Sequence, residues 1–295
     1  VLPYDISNSR ISVRQSESNN WVKYAIYGKT PKLNNGYYGI GASSYRYSGA
    51  APVKADGDAK AEIVKRFVKK KVEDANGILS YEIDSNLYYY DTVRSKASIA
   101  GPTGAWFRIL NATGSYPRVR QYQQLSLLYG ADDAFNVKVK VNDGAEVNEL
   151  LPATAAAVRT WDLGEVNTGV QINFYGRSPY LYGVALDGKT GVAVDNFPMR
   201  GSSALGFDGI NNQMLSVLYR QMNAKLIILQ YGINLVPDPK SNYDWYYKAF
   251  ARQLNAIRKA APDVSILVIG PSDMSRKTAS GYESYPNVPL IRDAM

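Results

Sequence analysis

Gly201 and Asn234 are the two residues in this sequence whose types and settings best suit the holding of a negatively charged oxygen. A glycine has no Cβ, so its backbone N–H can come close to a ligand; an asparagine can aim two N–H donors from one side-chain amide. Each follows a short apolar stretch, Val192-Ala193-Val194 for the first and Leu226-Ile227-Ile228-Leu229 for the second. Gly232, two residues before Asn234, permits a tight turn there. Two such donors would stabilise the tetrahedral oxyanion of acyl transfer, and one donor of this kind is worth on the order of 10²–10³ in rate. The bland alternative also stands on these residues: Asn234 caps a turn and Gly201 relieves a steric conflict. Ser203 is a third candidate, because it lies after an apolar stretch and before a helix, where a nucleophile can be presented. That position equally suits a helix N-cap or a polar loop residue.

Elements of a definite kind are needed to position these residues. From Gly191 onward the pattern reads strand, helix, strand, helix, strand: Val192–Val194, a helix over Asp208–Met222, Leu226–Leu229, a helix over Tyr243–Ala260, and Ser265–Ile269. In the second helix Phe250, Leu254 and Ile257 recur at helical spacing, with Lys248, Arg252, Arg258 and Lys259 between them. Buried strands alternating with helices imply a parallel sheet, whose ligands bind beyond the carboxyl ends of the strands. The loops leaving those ends are Asn196–Ala204, Gln230–Asn234 and Gly270–Met274. Residues 78 to 187 read differently. Val137, Val139 and Val141 alternate with Lys138 and Lys140, a turn signal follows at Asn142-Asp143-Gly144, and similar short strands recur, which suggests a β-sandwich. Residues 1 to about 50 also read as short strands between turns, and Asp58–Asp74 reads as a helix with Ile63, Val64, Phe67 and Val68 on one side.

Composition removes several chemistries. The 295 residues contain no cysteine, which excludes disulfides and thiol nucleophiles, and no histidine, so a Ser-His-Asp triad cannot be completed within them. No apolar run approaches the length of a membrane span. The formal charge is +8, densest at Lys65–Lys71 (KRFVKKK). That run is read as a solvated helix face; a basic patch for nucleic acid or an anionic cell-wall polymer is the alternative, and no nucleic-acid motif accompanies it. The 24 tyrosines, among them Tyr88-Tyr89-Tyr90, suit either sandwich faces or sugar stacking. The start at Val1 and the interrupted helical reading at Leu290–Met295 suggest a fragment.

Several of these segments resemble the SGNH (GDSL-like) ester hydrolases. Gly232-Ile233-Asn234 after Leu226–Leu229 is similar to that family's third block, whose Asn is an oxyanion donor. Val194-Asp195-Asn196-Phe197-Pro198-Met199-Arg200-Gly201 is similar to its second block, whose Gly supplies a backbone N–H. Val268–Asp273 resembles the strand and loop that follow. The subgroup it most resembles contains peptidoglycan O-acetylesterases, in which a β-sandwich is inserted between the first and second blocks. The opening residues Val1–Ile6, with Trp21 beyond them, resemble the segment after the first block.

The resemblance implies a flavodoxin-like α/β core, a parallel sheet with flanking helices, interrupted by an all-β sandwich. Residues 1–30 would belong to the core, 31–190 to the sandwich and 191–295 to the core again. It implies a serine ester hydrolase removing O-acetyl groups from a cell-envelope glycan in the periplasm or outside the cell, needing no metal or cofactor. Gly201 and Asn234 would form the oxyanion hole, with Gly232, Arg200 and Ser202 beside the substrate. The G-D-S and D-x-x-H blocks, with the nucleophile and base, would lie outside these residues, leaving this piece inactive. A competing alignment puts Gly201-Ser202-Ser203-Ala204 on the G-D-S-L block and makes Ser203 the nucleophile, although Ser202 replaces the acidic residue. A non-catalytic carbohydrate-binding protein on the same scaffold is the other reading, and a nucleic-acid binder rests on charge alone.

Overall fold

The computed structural model describes residues 14–18, 20–48, 61–73, 79–94, 103–110, 122–142, 144, 146–197, 199 and 201–295. The early strands are β1 (Arg14–Glu17), β2 (Trp21–Ala25), β3 (Ser43–Tyr47), β4 (Ala61–Glu73), β5 (Leu79–Arg94) and β6 (Thr103–Leu110). Then come β7 (Gln124–Ala131), β8 (Phe135–Val141), β9 (Glu146–Leu151), β10 (Thr154–Asp162), β11 (Gly169–Tyr175) and β12 (Tyr180–Asp187). The last part contains α1 (Asn212–Gln221), β13 (Leu226–Gln230), α2 (Asp244–Ala260), β14 (Ser265–Ile269), β15 (Ser275–Thr278), β16 (Gly281–Ser284) and α3 (Val288–Ala294).

Two five-stranded antiparallel sheets dominate, ordered β1-β6-β11-β8-β9 and β10-β7-β12-β3-β2. Period-two alternation builds the core between them. Val137 and Val139 of β8, Ile172 and Phe174 of β11, and Phe107 and Ile109 of β6 are buried, while Lys138 and Lys140 lie on the other side. Leu125 and Leu127 of β7 meet them from the second sheet. Phe174 sits at the centre, with Trp21 edge-on at 5.5 Å and Phe107 at 5.8 Å between ring centroids. Burying a side chain of this size contributes roughly 1.5–3 kcal/mol.

The second sheet is covered on both faces. Leu128, Tyr180 and Tyr182 alternate away from the sandwich core and join a second cluster with Met214, Leu215 and Leu218 of α1 and Phe250 and Ile257 of α2. Gln221 Oε1 accepts from the Val158 N–H at 2.6 Å, pinning the end of α1 to β10.

The flavodoxin-like core expected from the sequence is not what forms. The described strands are mostly antiparallel, and their one parallel pairing is β13 with β14, from Leu226↔Ser265 to Gln230↔Ile269. A doubly wound sheet requires more parallel neighbours than this pair supplies. Val192-Ala193-Val194, expected as a third strand, is extended coil, with Val192 and Val194 91% and 68% exposed. Apolar residues alone do not make a strand: its N–H and C=O groups need a paired neighbour, and no described strand pairs there.

Two helix readings also change. Asp58–Asp74 is not helical where it is described, since Ala61–Glu73 is β4, paired antiparallel with β5. The helix expected over Asp208–Met222 splits into a 3₁₀ turn at Phe207–Gly209 and α1, which starts only after Asn211. The Asn211 side chain accepts from the Met214 N–H at 3.1 Å and caps α1 there. Among the described residues no helix is long and apolar enough to cross a membrane.

Candidate functional site

The carboxyl end of β13 runs into Gly232, whose φ of +94° only a glycine adopts easily, and then into a 3₁₀ turn over Ile233–Leu235 that carries Asn234. The facing loop turns at Gly201, φ +78°, after the Ser202 N–H bonds the Met199 carbonyl at 3.0 Å. Asn234 Nδ2 donates to the Ser202 carbonyl at 2.8 Å and joins the two loops. Ser202 and Asn234 line one cavity of about 450 Å³ together with Asp195, Phe197, Met199 and Tyr231, and β13 forms one of its walls. The Gly201 N–H has no acceptor among the described residues, and the space a Cβ would occupy there is open.

Three further contacts hold the loop after Gly201. Gln253 of α2, 2% exposed, accepts from the Gly206 and Asp208 N–H groups at 3.1 and 3.0 Å through Oε1. Tyr246 donates its hydroxyl hydrogen to the Ser203 carbonyl at 3.2 Å, and burial pushes its pKa up to about 12, so it stays a neutral donor. The Ala204 N–H donates to Ser202 Oγ at 3.2 Å, and Ala204 itself sits at φ +65°, a conformation costing of order 1–3 kcal/mol outside glycine.

The expected site residues thus fall into distinct places. Ser202 and Asn234 face a shared hollow, and Gly201 lies beside them on the exposed turn. Gly232 is buried behind Asn234. Ser203 is not among the lining residues, and its carbonyl is tied to Tyr246. Arg200 lies outside the described residues. The third loop meets the back of the site: Pro271 abuts Gly232, and the Pro271 carbonyl accepts from Arg292 Nε of α3 at 2.9 Å. Sequence reasoning missed Gln253 and Tyr246. Gln253 was legible in part, since it falls three residues after Phe250 and four before Ile257, a polar group on the inward side of α2. Among the described residues no group of three or more carboxylates is placed to hold a metal ion.

Asp195 at the cavity wall has its pKa raised to about 6, first by burial and then by the nearby negative charge of Asp187. Its Oδ1 has no hydrogen-bond partner among the described residues. A carboxyl whose folded pKa exceeds its unfolded value of about 3.9 costs stability on ionising. The protein is therefore expected to lose thermal stability as pH rises from about 4 through 6. Asp195→Asn should reduce that loss in melts recorded across this range, and an unchanged pH slope in the variant would count against the assigned cause.

No family model matches the chain, and no curated protein does. Among solved structures it is similar to a peptidoglycan O-acetylesterase, at 14% identity and a TM-score of 0.45, over 83% of this chain and 65% of that one. It is similar to a family two carbohydrate esterase from Clostridium thermocellum in complex with cellohexaose, at 11% identity and a TM-score of 0.21, over 65% and 76% of the two chains. A salicylyl-acyltransferase from a tetracycline biosynthetic pathway is similar at 15% identity and a TM-score of 0.21, over 65% and 66%. The chain therefore spans 65% of the length of the peptidoglycan O-acetylesterase it matches.

Proposed function

We propose that this chain carries the oxyanion-holding part of an ester hydrolase site, and that the polypeptide completing the site removes acyl groups from a glycan. The observation that carries the reading is the 2.8 Å bond from Asn234 Nδ2 to the Ser202 carbonyl beside the 450 Å³ cavity. It uses one hydrogen of the amide and leaves the second N–H for a ligand oxygen. The neighbouring Gly201 N–H, which has no acceptor among the described residues, is the second donor in this reading. When an acyl carbonyl is attacked, negative charge gathers on its oxygen, and two donors already fixed in place stabilise that charge without reorganising.

The nucleophile in this reading is a serine activated by an imidazole base. These 295 residues contain no histidine, so the base belongs to another segment. The sequence resemblance supplies the substrate class, O-acetyl groups of a cell-envelope glycan, and a location in the periplasm or outside the cell.

The test is acetate release from an O-acetylated glycan by the gene's whole product and by residues 1–295 alone. Release is expected from the first and only background from the second; fast release by the 295 residues would overturn the division of the site. The lack of histidine favours a second reading, a glycan-binding protein that does no chemistry. Glycan binding with no acetate release by the whole product would establish that reading instead.

A further inference from the structure

Asn287 stands at the start of α3, yet its side chain makes no cap to that helix. An asparagine in this place ordinarily accepts from an N–H of the first turn. Here the side chain is turned inward and only 1% of the residue is exposed. Its Nδ2 donates to the Val236 carbonyl at 3.2 Å and to the Tyr243 hydroxyl oxygen, at the start of α2, at 2.6 Å. It also reaches the Leu235 carbonyl at 3.5 Å. Carbonyls accept and do not donate, so they fix the amide with its nitrogen toward them. The Asn287 Oδ1 is left buried with no partner among the described residues. A buried orphan of this kind costs free energy, so stability alone gives no reason for the placement.

The 3₁₀ turn over Ile233–Leu235 is thereby gripped on both sides of Asn234. Before it, the space beside Gly232 is closed by Pro271, Ile291 and Met295. After it, Val236 is fully buried and its carbonyl is held by Asn287. Asn234 between them is exposed, and its Nδ2 donates to the Ser202 carbonyl across the hollow.

We infer that Asn287 is a positioning residue: by holding the Leu235 and Val236 carbonyls it fixes the direction in which Asn234 presents its amide. Its use in catalysis rests on the oxyanion reading of Asn234. Asn287 is not among the residues lining the cavity, so it acts through the turn. A donor that must be in place before charge develops gains from a rigid mount, because nothing then has to reorganise during the reaction.

The test has two arms. In the 295-residue chain, nitrogen-15 spectra report the Asn234 side-chain amide, whose signals are identified by their loss in Asn234→Ala. Asn287→Ala should move those signals toward the values of a solvated amide. In the whole gene product, Asn287→Ala should lower kcat for a small acetyl ester about tenfold and change KM by about twofold or less. In an Asn234→Ala background the same substitution should lower kcat by less than about twofold, since a residue that acts through another has nothing further to remove. Unmoved Asn234 signals in folded Asn287→Ala would overturn the inference. A full tenfold loss in the Asn234→Ala background would overturn it too, as the mark of general damage to the fold. If Asn287→Ala does not fold, Tyr243→Phe, which removes the nearest acceptor of Asn287, carries both comparisons with a smaller shift and loss. The spectra need no turnover. A whole product without esterase activity therefore defeats the hydrolase reading and leaves the positioning to the first arm, whereas unmoved signals in an active enzyme defeat only the positioning.

Discussion

Asn234→Ala in the whole gene product should slow the hydrolysis of a small acetyl ester by about 10²-fold or more. The size follows from where the donor acts. A hydrogen bond to a neutral ground-state carbonyl and one to a developing oxyanion differ by the strengthening that charge brings, so the loss should appear in kcat more than in KM. Asn234 is exposed at the surface, and among the described residues its side chain bonds to the Ser202 carbonyl, which can turn to water when the amide is removed. The fold should therefore survive, with a melting temperature close to that of the parent. Asn234→Asp is the sharper comparison. It keeps the size but replaces two donors with acceptors facing the Ser202 carbonyl and the oxyanion, and it should be at least as slow. An alanine variant with unchanged kcat would remove Asn234 from the chemistry and leave it as a turn residue.

Some of this arrangement was legible in the sequence because it depends on local period. Lys138 and Lys140 between valines mark β8 as a strand with one polar side, and Phe250 and Ile257 mark the buried side of α2. Leu226–Leu229 and Ser265–Ile269 were legible as strands, and they pair in parallel, but the burial expected of them does not form: Leu226, Ile228, Leu267 and Ile269 are exposed, because burial needs a neighbouring layer on each face and not only apolar residues. What failed needed partners. Ile63, Val64, Phe67 and Val68 fit a helical spacing, but they also fit a strand, and the β-branched residues Ile63, Val64, Val68 and Val72 favour the strand once β5 lies alongside. Val192 and Val194 have a strand's composition and no neighbour to pair with among the described residues.

The same division runs through the site. Gly201 and Asn234 could be singled out by type and place, a glycine and an amide side chain following apolar runs, although turns and caps use the same residues. The contact that joins their loops could not, because Ser202 offers a backbone carbonyl there and every residue has one. Tyr246 was hidden for the opposite reason. It lies among the aromatic residues Trp245 and Tyr247, and only the tertiary fold shows that its ring is fully buried while its hydroxyl reaches the Ser203 carbonyl.

Gly232→Ala should damage both stability and activity, although Gly232 donates nothing to a ligand. At φ +94° an alanine is strained, by of order 1–3 kcal/mol. The added Cβ would also stand 2.8 Å from Pro271 Cδ, 3.0 Å from Met295 Sδ and 3.1 Å from Ile291 Cγ2, so a packed neighbour must move. Met295 is a flexible side chain and can give way. Pro271 cannot, since its ring is rigid and its carbonyl is held by Arg292, and Ile291 is fully buried. Overpacking of this kind adds typically 1–3 kcal/mol. Together the two effects should lower the melting temperature by several degrees or more. The 3₁₀ turn that begins at Gly232 sets the direction of Asn234, so the relief of strain should also move the amide from its place beside Ser202. Turnover should then fall even at temperatures where the variant is folded. A variant that melts lower but keeps full kcat would show that the turn adapts without disturbing Asn234, and one that melts as the parent does would show that Pro271 and α3 pack less tightly against this glycine than the distances state.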